Sequence, residues 1–413
     1  MKKLFSLLLA TAMTVSLCAC GAQAPAAGSD ASAETSEASE SGEKLDIKAG
    51  FICLHDENST YDLNFITAAK AACESLGIEA VIKTNIPEGQ ECYDAACELA
   101  DQGCGYIFAD SFGHEDYMIE AAKEYPDIQF CHATGTKAHT ENLANFHNAF
   151  ASIYEGRYLS GIAAGMKLNE MIADGKITED QAKIGYVGAF TYAEVISGYT
   201  SYFLGARSVC PTATMEVTFT GSWYDETAEK EGATKLISDG CVLISQHADS
   251  MGSPTACENA GVPNSSYNGP TDGACPETYI SYCKIDWTPY FTDSITKAAK
   301  GEAIPTDYIG TLETGSVVID HFGKNVAAGT EEAVEAAKAD LIAGKIHVFD
   351  TKTFTVDGAQ LTTYMADVDT DANYEGDHEA IKDGYFNESG DGMRSAPYFD
   401  LQIDGITLLD TAF

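Results

Sequence analysis

The sequence predicts an α/β protein of two Rossmann-like, doubly wound lobes joined by a hinge and followed by a β-rich C-terminal extension. Three observations carry this. Short apolar strand patterns begin near Ile47, Ile78, Gly105 and Ile128, and a helical pattern separates each from the next. A second set begins near Lys183, Thr214, Cys241 and Val262, with intervals that match the first set to about two residues. Between the sets stands YEGRYLSGIAAGMKL, from Tyr154, where Gly156, Gly161, Ala163, Ala164 and Gly165 allow helices to approach closely near a crossover. With 413 residues the chain is long enough for two ordinary cores.

In chain order, Lys2 and Lys3 precede an apolar run from Leu4 to Leu17 that is too short to span a bilayer and reads as a secretory signal. Leu17-Cys18-Ala19-Cys20 resembles a bacterial lipobox. The expectation is a signal peptide over 1–19, an acylated Cys20, and a disordered tether over 20–44, whose residues 21–43 lack any aromatic or large aliphatic side chain. Two or more acyl chains would hold the protein durably at the cell membrane, on its extracytoplasmic face. Lobe one is expected over 45–150, with part of 280–320 returning to it, and lobe two over 151–279. YISYCKIDW, 279–287, reads as a strand that crosses back to lobe one, and a helix follows from Pro289 to Lys300. Residues 321–413 hold a helix from Thr330 to Gly344 and a β-rich extension ending in the strand patterns YFDLQID and ITLLD, whose lobe the pattern leaves open.

Composition excludes several functions. The balance of 24 Lys+Arg against 63 Asp+Glu gives a net charge of -39, which repels phosphate backbones and argues against a nucleic-acid partner. Two of the 13 cysteines lie at the signal junction, and the remainder, scattered without short repeated spacings, read as free thiols buried like small apolar residues. There is no HExxH, GxSxG or Walker loop, and the nine histidines form no ligand pair. Asp367, Asp369 and Asp371 resemble the start of a calcium loop, but Ala372 replaces its glycine and His378 its bidentate glutamate. A binding protein without catalytic residues, metal or cofactor is therefore expected, acting as a monomer.

The binding residues are sought at the carboxyl ends of the strands, where open α/β sheets hold ligands. After the first strand come Asp62, Asn64 and Phe65. Asp62 reads either as a helix cap or as a ligand contact, Phe65 as core or cleft, and Asn64 offers a donor and an acceptor to a base edge. In lobe two, TFTGSWYDETAEKEGATKLISDGCVLISQHAD brings Trp223, Gln246, His247 and Asp249 to that edge, with Asp225 placed to cap the helix between. Trp287 reads equally as hinge packing or cleft lining. Aromatic faces beside amides and carboxylates suit a flat ligand with polar edges.

Several stretches together resemble the basic membrane protein family, also called purine nucleoside receptor-like, of lipoproteins that serve bacterial ABC importers. They are YDLNF from Tyr61, DSFGHEDYMIEAAKEYPDIQFCHATGTK from Asp110, YEGRYLSGIAAGM from Tyr154, VGAFTYAEVISGYTSYFLGARSVCPTATMEV from Val187, GSWYDETAEKEGATKLISDGCVLISQHADS from Gly221, and a Gly-Lys-Ile near Gly344. The resemblance covers about residues 45–350. It implies a type I periplasmic-binding-protein fold, a purine base or purine nucleoside stacked between the lobes, and delivery to ABC permease and ATPase subunits. It also implies Phe65 as a stacking face, Asp62 and Asn64 in the same recognition segment, and Ser111 and Phe112 after the third strand. In lobe two it implies Glu194, Trp223, Gln246, His247 and Asp249. QHADS stands where the nucleoside-binding members carry a Gly-rich loop, and Tyr267-Asn268-Gly269 where they carry an aspartate, a pattern closer to members resembling free-purine binders. A sugar receptor, a ligand-sensing lipoprotein and a surface nucleoside hydrolase using Asp110, Asp225 and Asp249 are the other readings.

Overall fold

The computed structural model describes residues 45–368, 376, 378–388 and 394–413. The expected signal, Cys20, the tether and most of the calcium-like segment (Asp369, Asp371 and Ala372) lie outside them. Lobe one runs through β1 (Lys48–Ile52), α1 (Thr60–Leu76), β2 (Glu79–Lys83), α2 (Gln90–Asp101), β3 (Tyr106–Ala109), α3 (Glu115–Glu124), β4 (Gln129–Ala133), α4 (Ala138–Glu141) and β5 (Phe146–Ala151). Lobe two follows with α5 (Ile153–Ala173), β6 (Lys183–Gly188), α6 (Ala193–Val209), β7 (Thr214–Phe219), α7 (Glu226–Ser238), β8 (Leu243–Gln246), α8 (Gly252–Ala260), β9 (Asn264–Tyr267) and β10 (Tyr279–Ile285). The chain returns to lobe one for α9 (Thr288–Lys300) and β11 (Asp307–Gly310), then crosses again to β12 (Val317–Val318) and α10 (Thr330–Ile342) on lobe two. The extension adds β13 (Met365–Ala366), β14 (His378–Glu379), β15 (Ile381–Lys382), β16 (Tyr385–Phe386) and β17 (Ile406–Leu408).

The two sheets repeat one topology. Lobe one has the order β11-β5-β4-β3-β1-β2 and lobe two β12-β10-β9-β8-β6-β7-β17. Every pairing in them is parallel except β10 with β12. Parallel strands buried on both faces are short apolar runs, which is why their starts are readable in the sequence. Three crossings link the lobes, β5 to α5, β10 to α9 and β11 to β12, and they brace one another. The Ser152 amide donates to the Gly310 carbonyl and the Asp286 amide to that of Ser316, both at 2.8 Å.

The structure departs from expectation at the hinge and in the extension. Tyr279–Ile285 stays in lobe two, paired with β9, and the crossing falls after it. YFDLQID forms no ladder; its alternate residues Phe399, Leu401 and Ile403 are buried, with Phe399 stacked on Phe349 at 4.2 Å. The extension touches both lobes. β17 continues the lobe-two sheet beside β7, while the Ser395 amide donates to Asp307 on β11 at 2.8 Å. All eleven cysteines from Cys53 to Cys283 are free, and only Cys97 is not fully buried.

Helices α5 and α6 pack backbone to backbone. A Cβ at Gly161 would lie 2.0 Å from the Tyr202 carbonyl oxygen, and one at Gly205 would lie 2.0 Å from that of Tyr158. Neither obstacle is a side chain that could move aside. Gly161→Leu should therefore lower the thermal midpoint by several degrees, for an overpacking cost of about 3 kcal/mol. Gly273→Ala, at an exposed glycine with open space around it, should leave the midpoint unchanged. Circular dichroism melts of the two variants check the pair.

Candidate functional site

The carboxyl ends of the two sheets face each other, and between them lies a narrow cavity of about 380 Å³. Lobe one supplies Leu54, His55, Tyr61 and Asp62 after β1, Ser111 and Phe112 after β3, and Thr134 after β4. Lobe two supplies Glu194 at the start of α6, Trp223 after β7, His247 and Asp249 after β8, and Tyr267 with Asn268 at the end of β9. The lobes touch around it. The Thr60 amide and hydroxyl both donate to the Asp249 carbonyl, at 3.1 and 3.2 Å. The rings of His55 and Tyr224, and of Phe112 and Tyr192, meet at about 5.5 Å across the cleft. Phe112, Thr134 and Glu194 also border a wider vestibule of about 1480 Å³, whose far wall includes Arg394, Pro397, Tyr398 and Phe413 of the extension.

Asp62, Ser111, Phe112, Glu194, Trp223, His247 and Asp249, all expected at the site, line this cavity. Four other expected residues do not. Phe65 stacks on Trp287, with centroids 4.5 Å apart, and both are buried in the lobe-one core beside Phe108 and Phe291. Height along α1 decides this: the two residues share one helix face, but Tyr61, in the first turn, reaches the cavity, whereas Phe65, one turn further on, lies beneath it with the two rings packed edge to face. Asn64 donates to the Ile285 carbonyl across the hinge. Gln246 donates to the Ala248 and Ser250 carbonyls, at 2.7 and 3.2 Å, and braces the loop that carries His247. Each amide satisfies a backbone oxygen that closure would otherwise leave without water or partner.

Sequence reasoning did not single out Tyr61, Thr134 or Asn268 as contacts. Thr134 and Asn268 have φ of +64° and +65°, at bends just beyond strand ends, and the strand-end position alone was their signal. The cap of α1 is Ser59, whose hydroxyl accepts from the Asp62 amide. Asp62 itself accepts from the His55 amide at 2.8 Å and the Ser59 hydroxyl at 2.6 Å. Asp225, in contrast, does cap α7 through the Ala228 amide. That leaves it outside the cavity wall, and Asp110 lies behind the wall, so the three carboxylates imagined for a hydrolase do not line one cavity.

The wall carries three carboxyl groups, Asp62, Glu194 and Asp249, and neither lysine nor arginine. Such a surface disfavours phosphates and suits neutral ligands rich in N–H or O–H donors. Burial pushes Asp249 well above the usual carboxylate range, reinforced by Glu229 and Asp62, while the Asn268 amide donates to it at 3.0 Å. Burial also opposes ionisation of Asp62, but its bonds from His55 and Ser59 prevail and hold it below the usual range. Cys53, Asp62 and Asp110 bring three possible metal-ligand atoms within 4.8 Å of one another. The fit to a metal is poor, because both oxygens of Asp62 already accept hydrogen bonds and burial, with the neighbouring carboxylates, pushes the Cys53 thiol well up.

Comparison with known proteins agrees with this architecture. The family described as "ABC transporter substrate-binding protein PnrA-like" matches residues 55–267. A purine-binding protein of Brucella abortus is 29% identical over 319 residues, covering 76% of this chain and 86% of that one. A Haloferax volcanii protein, TsgA13, whose name assigns it provisionally to glucose binding in ABC transport, is 34% identical over 248 residues. That match covers 60% of this chain and spans only 60% of the relative's length. The crystal structure of an ABC transporter solute-binding protein from Aeropyrum pernix K1 superposes with a TM-score of 0.63 at 16% identity, over 73% of this chain and 93% of that one. It shares the fold.

Burial raises the Asp110 carboxyl well above its usual range, and nearby Asp62 adds to the effect. An unfolded aspartate releases its proton near a pH of about 3.9, whereas folded Asp110 keeps it. Its contribution to stability is therefore full below that pH and is lost as pH rises toward the folded value. Asp110→Asn retains a neutral group and an acceptor for the Leu54 amide, which Asp110 Oδ1 holds at 3.1 Å. The variant should melt close to the unmodified protein at pH 4 and above it at pH 8, by a few degrees. Melts across that range measure the difference, and an equal midpoint at both pH values contradicts the assignment.

Proposed function

The chain belongs to the PnrA-like family of ABC transporter substrate-binding proteins, and from that premise we propose that it captures a purine base or purine nucleoside in the interlobe cleft and delivers it to an ABC permease driven by ATPase subunits. The observation that carries the reading is the cavity wall itself. Tyr61, Phe112 and Trp223 offer aromatic faces, and Glu194, His247 and Asn268 offer edges that pair with ring nitrogens and amino groups. Stacking on an aromatic ring contributes about 1 to 3 kcal/mol per base. The purine-binding relative of Brucella abortus supports the same ligand class.

A sugar is the second reading. The Haloferax volcanii relative's name favours it, and carboxylates accept sugar hydroxyls as readily as they accept amino groups. A thermal-shift panel of adenine, hypoxanthine, guanine, their nucleosides, ribose and glucose separates the two, since a ligand that binds only the folded state raises the midpoint. A shift with purines and none with sugars is expected; the reverse result replaces the purine reading with the sugar one. Trp223→Ala should weaken purine binding by about tenfold or more, the loss of one stacking face, with the melting curve otherwise intact. Titration calorimetry reads the change.

We further propose that Cys20 carries acyl chains that hold the receptor at the membrane's outer face, as a monomer. Cys20→Ala should move the protein from the detergent phase to the aqueous phase in a detergent-partition experiment. Partition of the variant unchanged from the unmodified protein removes the anchor from this site.

A further inference from the structure

We infer that Arg157 and Tyr186 are positioning residues that lock His247 in a single tautomer, with its Nε2–H presented to the cleft as a hydrogen-bond donor. The inference rests on the cleft being the ligand site proposed above, and it names the polarity of one wall group there.

The logic begins with a buried cation. Arg157, on α5, is 0% exposed, and its Nε and Nη1 find no hydrogen-bond partner among the described residues. Three tyrosine rings surround it instead, with the guanidinium carbon 4.8 Å from the centroid of Tyr267, 5.2 Å from Tyr186 and 5.5 Å from Tyr202. A guanidinium has donors and no acceptor. Its Nη2 donates to the Gln246 carbonyl at 3.1 Å and to the Tyr186 hydroxyl. The Tyr186 oxygen is thereby an acceptor from the cation, and its own proton points to the remaining neighbour, His247 Nδ1, at 3.2 Å.

The opposite end of the imidazole gives the same answer. His247 Nε2 lies 3.5 Å from the Glu194 carboxylate, which only accepts. Putting the proton on Nδ1 would set a bare Nε2 against that carboxylate and strand the phenolic proton of Tyr186 without an acceptor. A stranded buried donor costs about 1 to 3 kcal/mol. Burial disfavours the doubly protonated ring, against the pull of Glu194.

The ring also has little freedom to turn. Tyr267 packs at 4.7 Å, and Gly198 approaches so closely that a Cβ there would lie 2.7 Å from Nδ1. The wall therefore presents a fixed imidazole whose Nε2–H faces the Glu194 carboxylate across 3.5 Å, a long contact that a ligand can enter by accepting from Nε2–H and donating to Glu194. That pair matches a purine edge on which a ring nitrogen or carbonyl sits next to an N–H.

The test is a long-range proton–nitrogen spectrum of the full-length chain labelled with nitrogen-15 in histidine and purified in detergent without ligand. The His247 signal is assigned by its loss in His247→Gln. The expected result at neutral pH is a neutral ring with bare Nδ1 and protonated Nε2. Tyr186→Phe removes one hydroxyl and nothing of the ring packing; it should convert His247 to a mixture of tautomers and weaken purine binding about tenfold, the worth of one hydrogen bond. A proton on Nδ1 in the unmodified protein, or a tautomer unchanged by Tyr186→Phe, overturns the inference. A changed tautomer with unchanged purine affinity overturns the donor role. If no purine binds the unmodified chain while the tautomer is as stated, the ligand assignment fails and the positioning of His247 stands.

Discussion

Closure takes the carboxyl edges of two parallel sheets out of water, and every polar group there must then find a partner in the opposite lobe, in its own loop or in a ligand. Much of the cleft's chemistry follows from how that requirement is met. The Asp249 carbonyl receives the amide and hydroxyl of Thr60 from the other lobe. The Ile285 carbonyl, at the crossing, receives the amide of Asn64. Asp62 is occupied by the start of its own helix. What these bonds leave over for a guest includes the faces of Tyr61, Phe112 and Trp223, the Glu194 carboxylate, Asn268 and one nitrogen of His247.

The same requirement separates what the sequence makes legible from what it does not. Strand starts are local features, so the repeated intervals of the two lobes place β1 to β4 and β6 to β9 to within about two residues. Knowing those strands brings the loops at their carboxyl ends together, and Ser111, Trp223, His247 and Asp249 follow with them to the cavity wall. Phe65 and Tyr61 could not be ranked in that way. Both sit on one face of α1 in its opening turns, and only their depth along the helix leaves one ring at the cavity and the other on Trp287. Amides are ambiguous for another reason. Asn64 and Gln246 can read a base edge or a backbone carbonyl equally well, and the hinge and the loop after β8 each present a carbonyl in need of a donor.

The hinge and extension were less legible because their pairings are long-range. β5 is interrupted by His147 and Asn148, whose side chains hydrogen-bond to Gln129 and to the Ala138 amide, so its apolar pattern is broken although the strand is fully buried. β11 has four residues and pairs with a strand far earlier in the chain. YFDLQID alternates as a strand should, yet its burial is against side chains of the extension and no neighbouring backbone completes a ladder. Alternation reports which face is buried; it does not report whether an edge is available to pair.

Charge placement ties the fold to the ligand class. A chain with net charge -39 repels anions at long range, and its cavity wall adds carboxyl groups without a lysine or arginine. The buried cation of lobe two stands behind that wall, enclosed by tyrosines. There it cannot meet a ligand anion directly, but it orients the hydroxyl of Tyr186, which lies against the imidazole that does reach the cavity. A cation on the wall would select by charge and admit phosphates. A cation one hydroxyl removed selects by hydrogen-bond direction, which is the discrimination that neutral rings differing only in the order of their donors and acceptors require.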